Sequence, residues 1–415
     1  MTLSPHVEHP AFQKKFSKLN LDLIVVKLSS LCNIKCSYCY IYETGFINSL
    51  ANQPKIITEE TIANLSKQLQ EVDAFYKNTN FQIVLHGGEP LLVGNKRLEF
   101  ILENFKHFQD KSIQTNGTIL KKETLDLLYQ HRCSIGLSLD GNAKVNDKYR
   151  VDKKGHGTFD KVMKGLDLII NHPIAEHGFS MIIAVIDPSS DPIEIYEYLS
   201  QFKPKSVDFL LKDGCHDKLP DGKKSLDSTE YGEWLTKLAW HYFSLPDPIP
   251  IRKINMLVED YMTSKLGNNI TSPFGMFVIN PDGAITKNEL YDIIPMGSGF
   301  SRKWNINKDS LLDLLSTDEY QTYTFDSFPK SEICHGCQHV AYCGGGSEIH
   351  ARYKTNSGLA NPSIFCADYK YFYTEIGSYL DQHISHFSEK ETIDTCREIT
   401  SKNETDKISQ HDTIY

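Results

Sequence analysis

From residue 23 to about residue 245 the chain alternates short apolar runs with amphipathic segments, and this rhythm limits the folds open to it more than any other feature. Apolar runs at 23–29, 81–86, 111–114, 134–139, 179–186 and 207–211 predict strands. Helix-like stretches at 58–70, 98–108, 122–129 and 159–170 lie between them. Strand-helix alternation of this kind gives a parallel sheet, because each helix carries the chain back to the end where the next strand starts. Six repeats fit a partial (β/α)6 barrel of TIM-like form, an α/β fold whose functional groups gather at the C-terminal rim of the strands.

After about Pro248 the character changes. A helix-like stretch at 254–265 leads to two short β runs around Pro281-Asp282-Gly283, and then to a second group of cysteines. The expected organisation is a barrel over 1–245, a small C-terminal α+β domain over 246–388 capped by a helix at 369–383, and a polar flexible tail over 389–415.

A chain of 415 residues is long enough for two packed units, and its net charge of -9 argues against nucleic acid as the main partner. No stretch approaches eighteen apolar residues, and Met1-Thr-Leu-Ser-Pro-His6 has no basic region followed by an apolar core, so neither a membrane partner nor a secretory signal is expected. The expected location is the cytoplasm. Ten cysteines there are reduced thiols, and seven fall into two ligand-spaced groups.

The first group is Cys32, Cys36 and Cys39, a C-x3-C-x2-C triplet directly behind the first apolar run. Three thiolates on one tight loop can hold three irons of a 4Fe-4S cube and leave the fourth iron open. An open iron has no use in a simple electron carrier; it suits a cluster at which a small molecule binds and is cleaved. A structural zinc site is the alternative, but zinc usually takes paired C-x2-C units closed by a fourth ligand, and no such ligand follows nearby.

The triplet has companions downstream: His86-Gly-Gly-Glu-Pro90, Gln114-Thr-Asn-Gly117, Ser138-Leu-Asp-Gly141 with Asp147 and Arg150 behind it, and Cys334-x2-Cys337-x5-Cys343. In these stretches and their order the chain resembles radical S-adenosylmethionine (SAM) enzymes, in particular those with a C-terminal SPASM-type auxiliary-cluster domain. The resemblance implies SAM contacts at Tyr38, Gly88, Glu89, Ser138, Arg150 and Leu211. Arg150 would meet the charged end of SAM, which suits its planar fork of donors. It further implies that the reduced Cys32/Cys36/Cys39 cluster gives an electron to SAM, producing methionine and a 5'-deoxyadenosyl radical that takes hydrogen from a substrate side chain.

The second cysteine group departs from the family pattern. Asn288 stands where one auxiliary ligand is expected and Ser347 where another is, so the ligands of one cluster are absent together. Cys334, Cys337, Cys343 and Cys366 are the four-ligand set of the other cluster, and four thiolates close a cube for electron transfer. The same four cysteines are also a structural zinc pattern, which stays open. Cys133 reads as core, Cys215 as a loop thiol at the barrel rim, and Cys396 as inert in the tail.

In the sulfatase-maturing relatives an aspartate after the ligand replaced by Asn288 acts as general base, and Glu289 occupies that place here. The implied cofactors are two 4Fe-4S clusters and SAM. The implied partners are a precursor peptide and a reductant such as flavodoxin or ferredoxin. The stretches 26–32 and 39–42 look most like maturases of ribosomally made peptides that join side-chain carbons to aromatic rings. The alternatives are a sulfatase-type maturase making formylglycine, a thioether-forming quinohemoprotein-type maturase, and a peptide-binding iron-sulfur or zinc protein without catalysis.

Overall fold

The computed structural model describes residues 20–43, 53–76, 80–173, 178–267, 274–288, 294, 299–323 and 329–384. Glu289, Cys396 and the 389–415 tail lie outside the described residues.

The strands are β1 (Leu23–Ser29), β2 (Ile34–Cys36), β3 (Gln82–Gly87), β4 (Lys111–Thr115), β5 (Ser134–Ser138), β6 (Arg150–Asp152), β7 (Phe179–Val185), β8 (Ser206–Leu210), β9 (Met276–Ile279), β10 (Ala284–Thr286) and β11 (Trp304–Asn305). Nine of them form one sheet in the order β11-β10-β9-β1-β3-β4-β5-β7-β8. From β1 to β8 every pairing in that sheet is parallel, as the strand-helix alternation requires. The expected α/β fold with a mostly parallel sheet is therefore what the chain adopts. β1, Leu-Ile-Val-Val-Lys-Leu-Ser, is buried at every position, which explains why it reads as a continuous apolar run.

Helices cover the sheet by narrow apolar stripes. Helix Glu59–Tyr76 buries Ile62, Leu65, Leu69 and Val72, spaced three and four apart. The helix expected at 98–108 runs instead over Asn95–Asn104. Phe105 and Phe108 leave it to pack ring against ring, and Phe108 also meets Phe81 with centroids 5.5 Å apart. Helix Phe159–Ile170 starts under Asp147, whose Oδ1 accepts the backbone N–H groups of Thr158 and Phe159, donors that a helix start leaves unpaired.

The sheet continues past residue 245. β9 pairs in parallel with the free edge of β1, Leu23 opposite Met276, and β10 and β11 extend it antiparallel. Helix Cys366–Ile384 lies against helix Glu230–Ser244. Gly232 permits this contact, since a Cβ there would stand 2.5 Å from the Asp368 carbonyl oxygen. The contact is fastened by a buried ion pair, Lys223 Nζ to Asp368 Oδ2 at 2.6 Å. No helix among the described residues is long and apolar enough to cross a membrane.

Candidate functional site

The cysteine loop leaves β1 at the C-terminal rim of the sheet. Cys36 ends β2, which pairs antiparallel with β6 so that Cys36 stands opposite Arg150. Asn116 ties the loop to β4: its Nδ2 donates to Asn33 Oδ1 at 2.9 Å and approaches Cys32 Sγ at 3.9 Å. Tyr42 closes the other side by donating to the Ser30 carbonyl at 2.9 Å. Cys32, Cys36 and Cys39 are each half-buried there as free thiols. Burial pushes the Cys32 thiol up to about 11 and the Cys39 thiol up to about 12. It raises Cys36 too, against the lowering pull of the Arg150 guanidinium.

Gly88 and Glu89 follow β3 and lock onto this loop. The Gly88 N–H donates to the Ser29 carbonyl and the Glu89 N–H to the Leu31 carbonyl, both at 2.9 Å. A Cβ on Gly88 would lie 2.2 Å from the Tyr42 hydroxyl and 2.4 Å from the Leu31 oxygen, so only glycine fits. The Glu89 side chain is fully buried. It accepts from the Leu91 N–H, the Thr115 hydroxyl and the Asn116 N–H at 3.0, 2.8 and 2.9 Å. Burial raises its carboxyl above the ordinary range while these three donors pull it back. Glu89 is thus a clamp between the β3 turn and the end of β4.

Across the rim, Arg150 Nη1 donates to the Tyr38 hydroxyl at 2.9 Å, and Tyr38 donates to Asp140 Oδ2 at 2.6 Å. Burial alone would lower Arg150, but Cys36, Tyr38 and Asp140 outweigh it and hold the guanidinium firmly charged. Arg150 Nε is buried without a hydrogen-bond partner among the described residues, an orphan donor in position for an anion. Ser138 accepts from Gln114 Nε2 at 3.0 Å, and Leu211 directly follows the sixth parallel strand in a buried position. Tyr38, Gly88, Glu89, Ser138, Arg150 and Leu211 thus all lie at strand ends on one rim. Asn116 and Asp140 were overlooked as individual site residues, although both stand inside the motif runs.

The second cysteine group lines one pocket, where Cys334, Cys337, Cys343 and Cys366 meet beside His339 and Lys370. Burial pushes Cys343 up to about 12. Gly344, Gly345 and Gly346 all have positive φ, at 56°, 81° and 86°. The turn they make aims three carbonyls at the buried Arg352 guanidinium, which donates to each. Ser347 is engaged elsewhere: its hydroxyl donates to Glu348 Oε1, which also receives Lys253 Nζ at 2.6 Å. Tyr369 donates to Glu348 Oε2 at 2.6 Å. Asn288 is buried.

Both cysteine sets fit iron-sulfur clusters. Thiols held out of water cannot carry thiolate charge alone, and iron supplies the missing positive charge.

Residues 26–199 match the Radical SAM superfamily model. A cysteine-type anaerobic sulfatase-maturating enzyme of Clostridium perfringens is 27% identical over 371 residues, covering 85% of this chain and 95% of the relative. Among solved structures, His6-tagged anSMEcpe with bound AdoMet superimposes with a TM-score of 0.73 at 23% identity, over 89% of this chain and 100% of that one. SuiB of Streptococcus suis bound to precursor peptide SuiA gives 0.57 at 16% identity, over 85% of this chain and 78% of that one. With the cysteine loop, the Glu89 clamp and Arg150 assembled at its rim, the chain carries a radical SAM domain over residues 26–199, and its similarity to sulfatase-maturating enzymes marks it as an enzyme.

Proposed function

We propose that this enzyme is a peptide maturase. The observation that carries the reading is the convergence on one rim of the Cys32/Cys36/Cys39 loop with the Arg150–Tyr38–Asp140 chain. Cys32, Cys36 and Cys39 would hold a 4Fe-4S cluster; Tyr38, Gly88, Glu89, Ser138, Arg150 and Leu211 would hold SAM. When bound, the pair supplies a 5'-deoxyadenosyl radical able to take hydrogen from an unactivated carbon. Arg150 would hold the carboxylate of SAM, while Glu89 fixes the glycine turn of the site and the surrounding strand ends would keep water away. Cys334, Cys337, Cys343 and Cys366 would hold a second 4Fe-4S cluster, so anaerobically reconstituted protein is expected to carry about eight irons. A reductant such as flavodoxin or ferredoxin, and a cytosolic setting, go with this reading.

A peptide substrate is supported by the relatives, one named a sulfatase-maturating enzyme and one bound to a precursor peptide. The first reading of the product is a crosslink from a side-chain carbon to an aromatic ring, as in cyclophane-forming enzymes. It is supported by the reduced cysteine set, in which Ser347 belongs to a polar network. The second reading, formylglycine formation, is favoured by the 27% identity to the C. perfringens enzyme over most of both chains. Glu289 is the proposed base in either case, and Glu289→Gln should still cleave SAM while slowing product by about two to four powers of ten.

The test incubates enzyme, SAM and reductant with a short peptide encoded beside this protein, and sequences the product by tandem mass spectrometry. Loss of two hydrogens with a fragmentation gap spanning an aromatic residue supports the crosslink. A Cys or Ser converted to an aldehyde replaces it by the second reading, and no 5'-deoxyadenosine at all would sink both.

A further inference from the structure

Lys212 stands one residue beyond Leu211, is only 4% exposed, and its ammonium has no hydrogen-bond partner among the described residues. Its Nζ lies over the Tyr149 ring, 4.0 Å from the centroid. A cation held out of water normally has an acceptor or a counterion in contact, because desolvation is costly and a ring face repays part of it. The site around Lys212 is therefore incomplete as the chain stands.

The side chain faces the cysteine loop, because the Tyr149 ring that its ammonium meets lies beside the Tyr38 ring. Asp140 agrees with this placement, since Lys212 is among the charges that pull its carboxyl down against burial.

Two cations thus share the rim but not one position. Arg150 is the charge that most lowers Cys36 and sits at the cysteine loop. Lys212 sits beyond the aromatic pair Tyr38–Tyr149, whose centroids are 5.8 Å apart. Arg150 is engaged with Tyr38 beside the cysteine loop, so what Lys212 lacks is a hydrogen-bond acceptor of its own.

We propose that Lys212 is a further binding residue of the SAM site, donating to an oxygen or nitrogen acceptor on the nucleoside half. The proposal rests on the reading that Tyr38 and Leu211 flank that half.

The test compares reconstituted wild type with Lys212→Met and Lys212→Gln, measuring anaerobic binding of SAM by calorimetry and of 5'-methylthioadenosine by competition. Iron content serves as the check on folding. Losing one hydrogen bond from a charged donor should weaken both ligands about tenfold to a hundredfold in either variant, with iron unchanged. Wild-type affinity in the variants would overturn the proposal, as would a loss for SAM alone, which would assign Lys212 to the amino-acid half. Failure of 5'-methylthioadenosine to compete in wild type counts against it too. Wild-type protein that binds no SAM would sink the parent reading instead.

Discussion

Cys36 and Arg150 are register partners across the β2–β6 ribbon, so one short antiparallel pairing places a cluster thiol beside the main cation of the site. This explains why a residue so far along the chain from the cysteines belongs to them. The ribbon is short, and the Ser37 N–H extends it by donating to the Tyr149 carbonyl at 3.0 Å.

Arg150→Lys tests that pairing. Lysine keeps the charge beside Cys36 but cannot hold the Tyr38 hydroxyl and a carboxylate at once with a planar fork. Iron content should stay at the wild-type value while SAM affinity falls by about tenfold to a hundredfold in anaerobic calorimetry. Unchanged affinity would remove Arg150 from SAM binding.

Gly88→Ala should act on the metal loop. The new methyl would meet the Leu31 carbonyl at 2.4 Å, and backbone cannot yield as the end of a flexible side chain can. The loop must shift away from β3, so reconstituted protein should lose about half its iron and keep the portion held by the C-terminal cysteines. Full iron content would show that the loop tolerates the displacement.

The parallel strands were legible in the sequence because β1 is buried throughout and reads as a nearly unbroken apolar run, while strands such as β4 alternate buried and half-buried positions. The observed strands begin and end within a residue of those expected. The three-residue strands β2 and β6 were not legible: Ile34–Cys36 and Arg150–Asp152 carry no apolar rhythm, and only their mutual pairing defines them. The cysteines and Arg150 could be named from spacing and resemblance. The partners that orient them could not, since the Tyr38–Asp140 hydrogen bond spans 102 positions and Asn116 reaches Asn33 across 83. Nor does spacing show that Ser347 joins a network built on Lys253, which lies on a helix far upstream.

That network supplies a further prediction. Burial alone would raise the Glu348 carboxyl, but Lys253 and the Tyr369 hydroxyl hold it down at about 2. Its contribution to stability is present above the unfolded carboxylate value and is lost as pH falls towards 2. Glu348→Gln leaves the Lys253 ammonium buried without a counterion and should cost about 3–5 kcal/mol in urea unfolding of the iron-free protein. The double variant with Lys253→Met should recover most of that loss. Equal instability of the single and double variants would mean the network is not coupled in this way.

Asp260 is the opposite case. It lies on helix Arg252–Lys265, where burial pushes its carboxyl up to about 7, with Glu259 beside it adding to the rise and Lys253 opposing it. A carboxyl raised in the folded state binds its proton more tightly there than in the unfolded chain, so folding stability declines as pH climbs from about 4 to about 7 and then levels. Asparagine keeps the shape without the charge. Asp260→Asn should therefore match wild type near pH 4 and be more stable at pH 8, by on the order of 2–4 kcal/mol. Urea unfolding of the iron-free protein at several pH values reads this directly. A gain that is the same at pH 5 and pH 8 would show that the carboxylate is accommodated as the charged form, and would place the benefit in the helix and not in the proton.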